Sequence, residues 1–354
     1  MKFGNFMFSE SREPDRDGIV LDEVMREAKL CDDLGMDALW LAEHHFSGVC
    51  VYADPAALAA ALAIATKRIK IGFAVAQMSL VHPIRFAEQM ALIDNLSKGR
   101  LIVGMGRGTG YSIHEYGGYG VEIAEAQARF EEAEEILLKA WSGEAFEHRG
   151  KFWNLQVPPV RPRPFTQPHP PIVRGAHSER STLEFARAGR PFLMNVQSTE
   201  AVKKRMDLYR AAMRDAGHDA AAIARNVADC WTLRNVFVAD TDAEAERVGQ
   251  AMWQSMYQYR DDTTAHYQKL KGVTIRPPEG IPSRNIMEHS LICGSPATVA
   301  EKIAALDACG LGGVMMTFKM GSMPYAQAAQ SIELFMREVA PKFRKTAAVV
   351  AASA

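Results

Sequence analysis

Three pieces of the chain decide the fold: Ile69-Lys70-Ile71-Gly72-Phe73-Ala74-Val75-Ala76, then residues 83–96, then Leu101-Ile102-Val103-Gly104-Met105. The outer two are short apolar runs with strand character, and between them apolar residues recur at helical spacing. A strand, a helix and a second strand in that order form a parallel pair, because the helix carries the chain back along the sheet.

The same alternation extends outward in both directions. Upstream lie a strand at 2–8, a helix at 21–34 stopped by Gly35, and a strand at 38–42. Asp54-Pro55 then reads as an N-cap with proline at the first helical position, opening a helix to about Lys67. Downstream, a helix at 122–141 is followed by strands at 171–175 and 191–195 that flank a helix at 179–188. A helix at 199–216 and strands at 232–238 and 313–318 complete the series, with Ser295-Pro296 capping the helix before the last strand.

Eight strands, each followed by helix-forming sequence, predict an α/β protein: a single-domain (β/α)8 TIM barrel over residues 1–345. A doubly wound sheet would carry a glycine-rich turn after its first strand. Here that turn reads Ser9-Glu10-Ser11-Arg12. Two segments interrupt the alternation and are expected to be long loops, 142–170 and 259–290, the second holding Pro277, Pro278 and Pro282. The alanine-rich residues 346–354 are expected to be a frayed tail.

Hydrophobic residues make up 48% and charged residues 23% of the chain, a globular balance that excludes disorder. The net charge of -1 gives no bulk attraction to nucleic acid. The cysteines, Cys31, Cys50, Cys230, Cys293 and Cys309, are odd in number with no CxxC pair. This predicts reduced thiols in a cytoplasmic protein, without a disulfide framework or a zinc site. The start does not read as a signal peptide, and the apolar runs fall short of the ~20 residues of a membrane helix, so no membrane association is expected.

In a barrel the chemistry gathers where the strands end. The second strand ends in Ala42-Glu43-His44-His45-Phe46. Adjacent histidines on an extended chain point opposite ways, so one can face the cavity while the other packs. Histidine suits proton transfer near neutral pH, and a hydrogen-bonded surface pair is the plainer reading. The spacing is not that of a zinc motif, and no metal is expected. His82-Pro83 reads as a helix entry. The fourth strand runs into Gly104-Met105-Gly106-Arg107-Gly108-Thr109-Gly110-Tyr111, where glycines permit a close backbone approach and Arg107 suits a phosphate, or where a plain flexible turn lies. The fifth runs into Val173-Arg174-Gly175-Ala176-His177-Ser178-Glu179-Arg180-Ser181, a helix start that can cap itself, bind an anion, or both. Met78, Leu80, Met105 and Phe318 at strand ends suggest an apolar substrate, or simply core.

Together these pieces resemble the bacterial luciferase family of flavin-dependent monooxygenases. The resemblance begins at Met1-Lys2-Phe3-Gly4-Asn5-Phe6 and continues through Trp40-Leu41-Ala42-Glu43-His44-His45-Phe46. It is strongest from His82-Pro83-Ile84-Arg85 through Leu96-Ser97-Lys98-Gly99-Arg100 to Gly104-Met105-Gly106-Arg107-Gly108, and it returns at Gly294-Ser295-Pro296. It implies a barrel, usually dimeric, with FMN at the strand ends. The reduced FMN would come from a separate flavin reductase and react with O2 as a 4a-hydroperoxide that oxygenates a small organic substrate.

Carried over by position, the resemblance makes His44 the catalytic histidine, with His45 and Glu43 in support. Phe6 would line the flavin cavity, and the Ala74–Val75 bond would be a non-prolyl cis peptide behind the ring. Arg107, Thr109, His177, Ser178 and Ser181 would bind the cofactor around its phosphate, and 259–290 would be a mobile loop. Helices 83–96 and 122–141 would be candidates for a homodimer interface. Gly106 and Asn195-Val196 stand where the luciferase catalytic subunit has a reactive cysteine and a tryptophan, which weakens the case for a long-chain aldehyde and for light emission. Two other readings stay open: a deazaflavin-dependent oxidoreductase of the same fold, and a flavin-binding accessory subunit without catalysis.

Overall fold

The computed structural model describes residues 1–109, 112–176, 178–272 and 286–344. Its strands are β1 (Lys2–Met7), β2 (Ala38–Leu41), β3 (Lys70–Phe73), β4 (Ala76–Gln77), β5 (Leu101–Gly106), β6 (Phe146–Arg149), β7 (Asn154–Val157), β8 (Ile172–Ala176), β9 (Phe192–Met194), β10 (Trp231–Val238), β11 (Leu291–Gly294) and β12 (Gly313–Thr317). The helices are α1 (Asp17–Asp33), α2 (Pro55–Ala65), α3 (Pro83–Ser97), α4 (Ile113–Gly118), α5 (Ala126–Trp141), α6 (Glu179–Arg187), α7 (Thr199–Asp215), α8 (Ala220–Ala228), α9 (Asp242–Lys271), α10 (Met287–Ser290), α11 (Pro296–Asp307) and α12 (Tyr325–Leu334).

Parallel pairing runs β1-β2-β3-β5-β8-β9-β10-β12 and returns to β1, which closes an eight-stranded barrel. These staves are the eight strands expected from the sequence. β4 continues the path of β3 and pairs with the end of β5, while β11 pairs with the outer half of β10. Helix starts follow their capping residues: Asp54 accepts from the Ala56 and Ala57 N–H groups, and Ser295 accepts from Thr298. His82 is the N-cap of α3 and is exposed, a helix-entry residue as read.

Both expected long loops need correction. The first contains the antiparallel hairpin β6–β7. Glu132 of α5 holds its turn by accepting from the Lys151, Phe152 and Trp153 N–H groups and from His148. The second begins as helix, because α9 continues to Lys271 and stops at Gly272 in the left-handed conformation (φ 65°). Its polar outer face mimics a loop in the sequence. Residues 273–285, with the three prolines, and the tail 346–354 lie outside the described residues.

Tryptophans stop the barrel floor. The rings of Trp40 and Trp231 meet edge-on at 5.2 Å and are almost fully buried. Glycines make room for them: a Cβ at Gly4 would fall 2.7 Å from the Trp40 ring, and one at Gly72 2.6 Å, while Gly313 lies against Trp231. Alternation along each strand then places the next inward residues above this floor. Phe6 and Phe8 follow Gly4, Ala42 and His44 follow Trp40, Ala74 follows Gly72, and Gly104 and Gly106 stand on the neighbouring strand. One sector of the mouth, on β2, β3 and β5, is therefore small, and the adjoining strand β1 is aromatic.

The same alternation turns Met105 and Phe318 outward. Both are fully buried, and Phe318 packs edge-on against Phe335 of the outer layer. Met78 is also fully buried. These residues are core and do not carry the apolar-substrate reading. The glycines after β5 serve the chain's own packing: Gly104 lies against the Phe73 carbonyl, and a Cβ at Gly106 would fall 2.5 Å from Val75 Cγ2.

Gly72→Ala should lower unfolding stability by about 1–3 kcal/mol, because Trp40 has nowhere to move in a packed floor. Urea denaturation of the two proteins measures it, and an unchanged midpoint would show that the floor yields.

Candidate active site

The segment leaving β2 sits at the barrel mouth, and its two histidines do point apart. His44 is a quarter exposed and stacks on Phe8 (ring centroids 5.7 Å apart, 23° between planes), which meets Phe6 edge-on at 4.9 Å. His45 is buried and faces the other way. Its Nε2 lies 3.0 Å from Glu43 Oε1, and its Nδ1 lies 3.1 Å from the Tyr119 hydroxyl.

The carboxylate that organises this place carries no sequence signature. Glu115, on the short helix α4, is 1% exposed. Its Oε1 lies 2.9 Å from His44 Nδ1 and accepts the His45 backbone N–H at 3.1 Å. Its Oε2 accepts Gln77 Nε2 at 2.8 Å. Glu115 stands 71 positions from His44, so only the fold brings them together. Burial raises the carboxyl, and the bonds from His44, Gln77 and His45 outweigh it, so Glu115 ionises below the usual carboxylate range.

Helix α9 leans over the same mouth. Arg260 lays its guanidinium 4.1 Å from the Phe8 ring centroid, Tyr267 donates to the Phe46 carbonyl, and its ring stacks on His114 at 3.9 Å. Burial holds His114 below the ordinary histidine range. Beside this contact a cleft of about 630 Å³ opens between the 46–53 segment and α9, lined among others by Arg12, Ser47, Tyr259 and His266. Neither His44 nor Arg107 lines it, and Phe46 and Tyr267 form the wall it shares with the histidine segment.

The remaining expected residues divide. The Ala74–Val75 peptide is cis, as the resemblance implies, and lies beside Gly106. Arg107 is exposed, and its carbonyl accepts from Ser79 and Tyr116. Thr109 Oγ1 lies 3.2 Å from Ser112 Oγ. Ser178 and Ser181 form a reciprocal capping box at the start of α6. Since β5 and β8 are paired neighbours, Arg107 and Ser178 leave adjacent strand ends. His177 lies outside the described residues. Among the described residues no cluster of metal-ligating side chains occurs, and no helix is long and apolar enough to cross a membrane.

Residues 1–312 match the luciferase-like monooxygenase family, and the chain belongs to it. It is an enzyme of the flavin-dependent monooxygenase class. It is 27% identical over 92% of its length, and 90% of the relative's, to the oxygenase component of flavin-dependent trigonelline monooxygenase from Acinetobacter baylyi. Its fold matches monooxygenase RslO1 from Streptomyces bottropensis with a TM-score of 0.82 and 25% identity, covering 97% of this chain and all of that one. It also matches the oxygenating constituent of 3,6-diketocamphane monooxygenase from Pseudomonas putida, a type II Baeyer-Villiger enzyme solved with FMN. The TM-score there is 0.76 at 24% identity, over 97% and 99% of the two chains.

The inner pair has a pH signature. Burial pulls the His45 imidazole down, and the hydrogen bond and charge of Glu43, with Glu115, more than reverse it, so His45 titrates above its ordinary value. A raised histidine contributes stability fully below its unfolded pKa of about 6.5, and loses it as pH rises through the folded value. The difference in unfolding midpoint between the native protein and His45→Gln should therefore shrink from pH 6 to pH 9. A difference that widens would refute the ion pair.

Proposed function

We propose that the chain is the oxygenase component of a two-component system. It takes reduced FMN from a separate flavin reductase, activates O2 as a flavin 4a-hydroperoxide, and transfers one oxygen atom to a small, mostly apolar organic substrate. The observation that carries this reading is the His44–Glu115 pair at the strand ends, with His44 against Phe8.

The residues present fit FMN. Ala42 and Ala74 carry little side chain above the tryptophan floor, and Gly104 and Gly106 let β5 close on Phe73 and Val75, so this sector suits one face of a planar ring. Phe6, Phe8 and the Ala74–Val75 bond would border that ring. Arg107, Thr109, Ser178 and Ser181 would hold the phosphate, where an exposed guanidinium and a helix N-terminus favour negative charge. FMN supplies the electrons and the oxygen chemistry when bound.

The protein's own part is proton placement. Glu115 is a carboxylate acceptor, so a neutral His44 keeps its proton on Nδ1 and presents an Nε2 lone pair. Protonated, the same ring becomes a donor at Nε2 while Glu115 balances its charge. His44 can thus accept and return a proton at one fixed atom, the work of a general acid/base. The aromatic side of the mouth, Phe6 and Phe8, excludes water and favours an apolar substrate. All five cysteines are free and buried, consistent with work in the reducing cytoplasm.

We also propose a homodimer through α2 and α3. α2 contains no charged residue, and Ile64, Leu92 and Leu96 stand 70%, 49% and 36% exposed on the paired helices. The outer face of α5 bears Glu131 and Glu135 and suits solvent better. Leu92→Glu should convert a dimer to a monomer in sedimentation, and an unchanged dimer would place the interface elsewhere.

For the chemistry, photoreduced FMN bound without oxygen is mixed rapidly with aerated buffer. A long-lived absorbing species is expected in the native protein. His44→Ala should shorten its lifetime at least tenfold, with FMN affinity retained, a threshold set below the roughly 10²–10⁴-fold of general acid/base effects. Direct conversion to oxidised FMN in the native protein would overturn the oxygenase reading, and an unchanged lifetime in the variant would overturn the role of His44.

A further inference from the structure

Two histidine–carboxylate pairs stand back to back at the end of β2, and one residue reaches both carboxylates, one through its backbone and the other through its side chain. Gln77 of β4 is 3% exposed. Its backbone N–H donates to Glu43 Oε2 at 2.7 Å. Its Nε2 donates to the Glu43 carbonyl at 3.0 Å and to Glu115 Oε2 at 2.8 Å. Two acceptors at one end of the amide assign that end as the nitrogen. The amide oxygen turns to Gly108, a residue of φ 85° with no side chain to meet it.

We propose that Gln77 is a positioning residue for the His44 reaction: it fixes the plane of the Glu115 carboxylate and, through it, the side of the His44 ring that carries the proton. The inference rests on the reading of His44 as the acid/base. Glu115 has two oxygens and three donors, drawn from β4 and from the segment after β2. Oε1 serves His44 Nδ1 and the His45 N–H, and Gln77 is the side-chain donor to Oε2. A buried carboxylate oxygen that loses its donor rotates toward another or takes up a proton. Either change loosens the acceptor at Nδ1, and the neutral ring is then free to place its proton on Nε2, where it can no longer act as a base.

An amide suits this place for a second reason. It hydrogen-bonds to both carboxylate-bearing residues, yet it neither ionises nor relays a proton near neutral pH. Glu43 and His45, which reach the half-exposed Tyr119, are thereby mechanically tied to Glu115 and His44 without a shared proton. Glutamate has almost the same shape, but would set a third carboxyl against the other two.

The test reads the tautomer of His44 in the FMN-free protein. Long-range nitrogen–proton correlation spectra of the chain labelled at histidine with nitrogen-15 distinguish Nδ1–H from Nε2–H rings, and a His44→Gln sample assigns the signals. The native protein should show His44 as Nδ1–H. In Gln77→Met and in Gln77→Glu the Nε2–H form should become the major one. Two variants guard against one that fails to fold, and folding is read from the remaining histidine signals. His44 held as Nδ1–H in a folded variant would overturn the proposal.

The same variants are then run in the oxygen rapid-mixing experiment. A shifted tautomer with a lifetime shortened at least tenfold supports both the positioning role and the acid/base reading. A shifted tautomer with an unchanged lifetime leaves Gln77 holding the ring but defeats its part in the reaction, and the failure then belongs to His44 as acid/base.

Discussion

A parallel barrel can close only if its interior is filled to the density of a packed solid, and here two indole rings do most of the filling at one end. Trp40 fits because Gly4 and Gly72 have no side chain, and Trp231 because Gly313 has none. Bulk is concentrated in one layer, so the layers above it can be small on one side. Ala42 and Ala74 are the small residues of the layer above it, beside His44. A barrel filled evenly with branched residues would leave no room for a planar cofactor.

The buried charges obey a comparable rule. An ionised group out of water must be matched by donors, and Glu115 has three of them within 3.1 Å. Glu43 is served by His45 and by the Gln77 backbone. Stability and chemistry come from the same contacts, since the bonds that make burial tolerable also fix which atoms of the histidines are occupied. Glu132 shows the purely structural version, an acid whose donors are a hairpin turn and its flanking histidine, with no role at the mouth.

Much of the barrel is legible in the sequence. The staves are short apolar runs bounded by helix caps such as Asp54-Pro55 and Ser295-Pro296, and these are local signals. His44 and His45 are legible too, because a strand end in a barrel is a place known in advance. Glu115 and Gln77 are not. Their significance depends on the turn after β5 folding back over β2, a tertiary event with no local pattern. Helix α9 is obscured differently. Its exposed polar face resembles loop sequence, and its apolar contacts (Trp253 and Met256 among them) are spread over a helix of 30 residues. The hairpin β6–β7 hides behind prolines, because its strands are short and depend on Glu132 to hold them.

A barrel stoppered at its floor has a single doorway. If flavin, oxygen and substrate react near His44 as proposed, all would come and go past the same rim, where Phe8 and Arg260 lie together. The component that sits deepest has to arrive first and leave last. Sequence of arrival is then dictated by depth and not by relative affinity, and a substrate that enters early becomes an obstruction. Kinetically such an architecture behaves as a queue, with excess substrate slowing the cycle by occupying the passage before the flavin does.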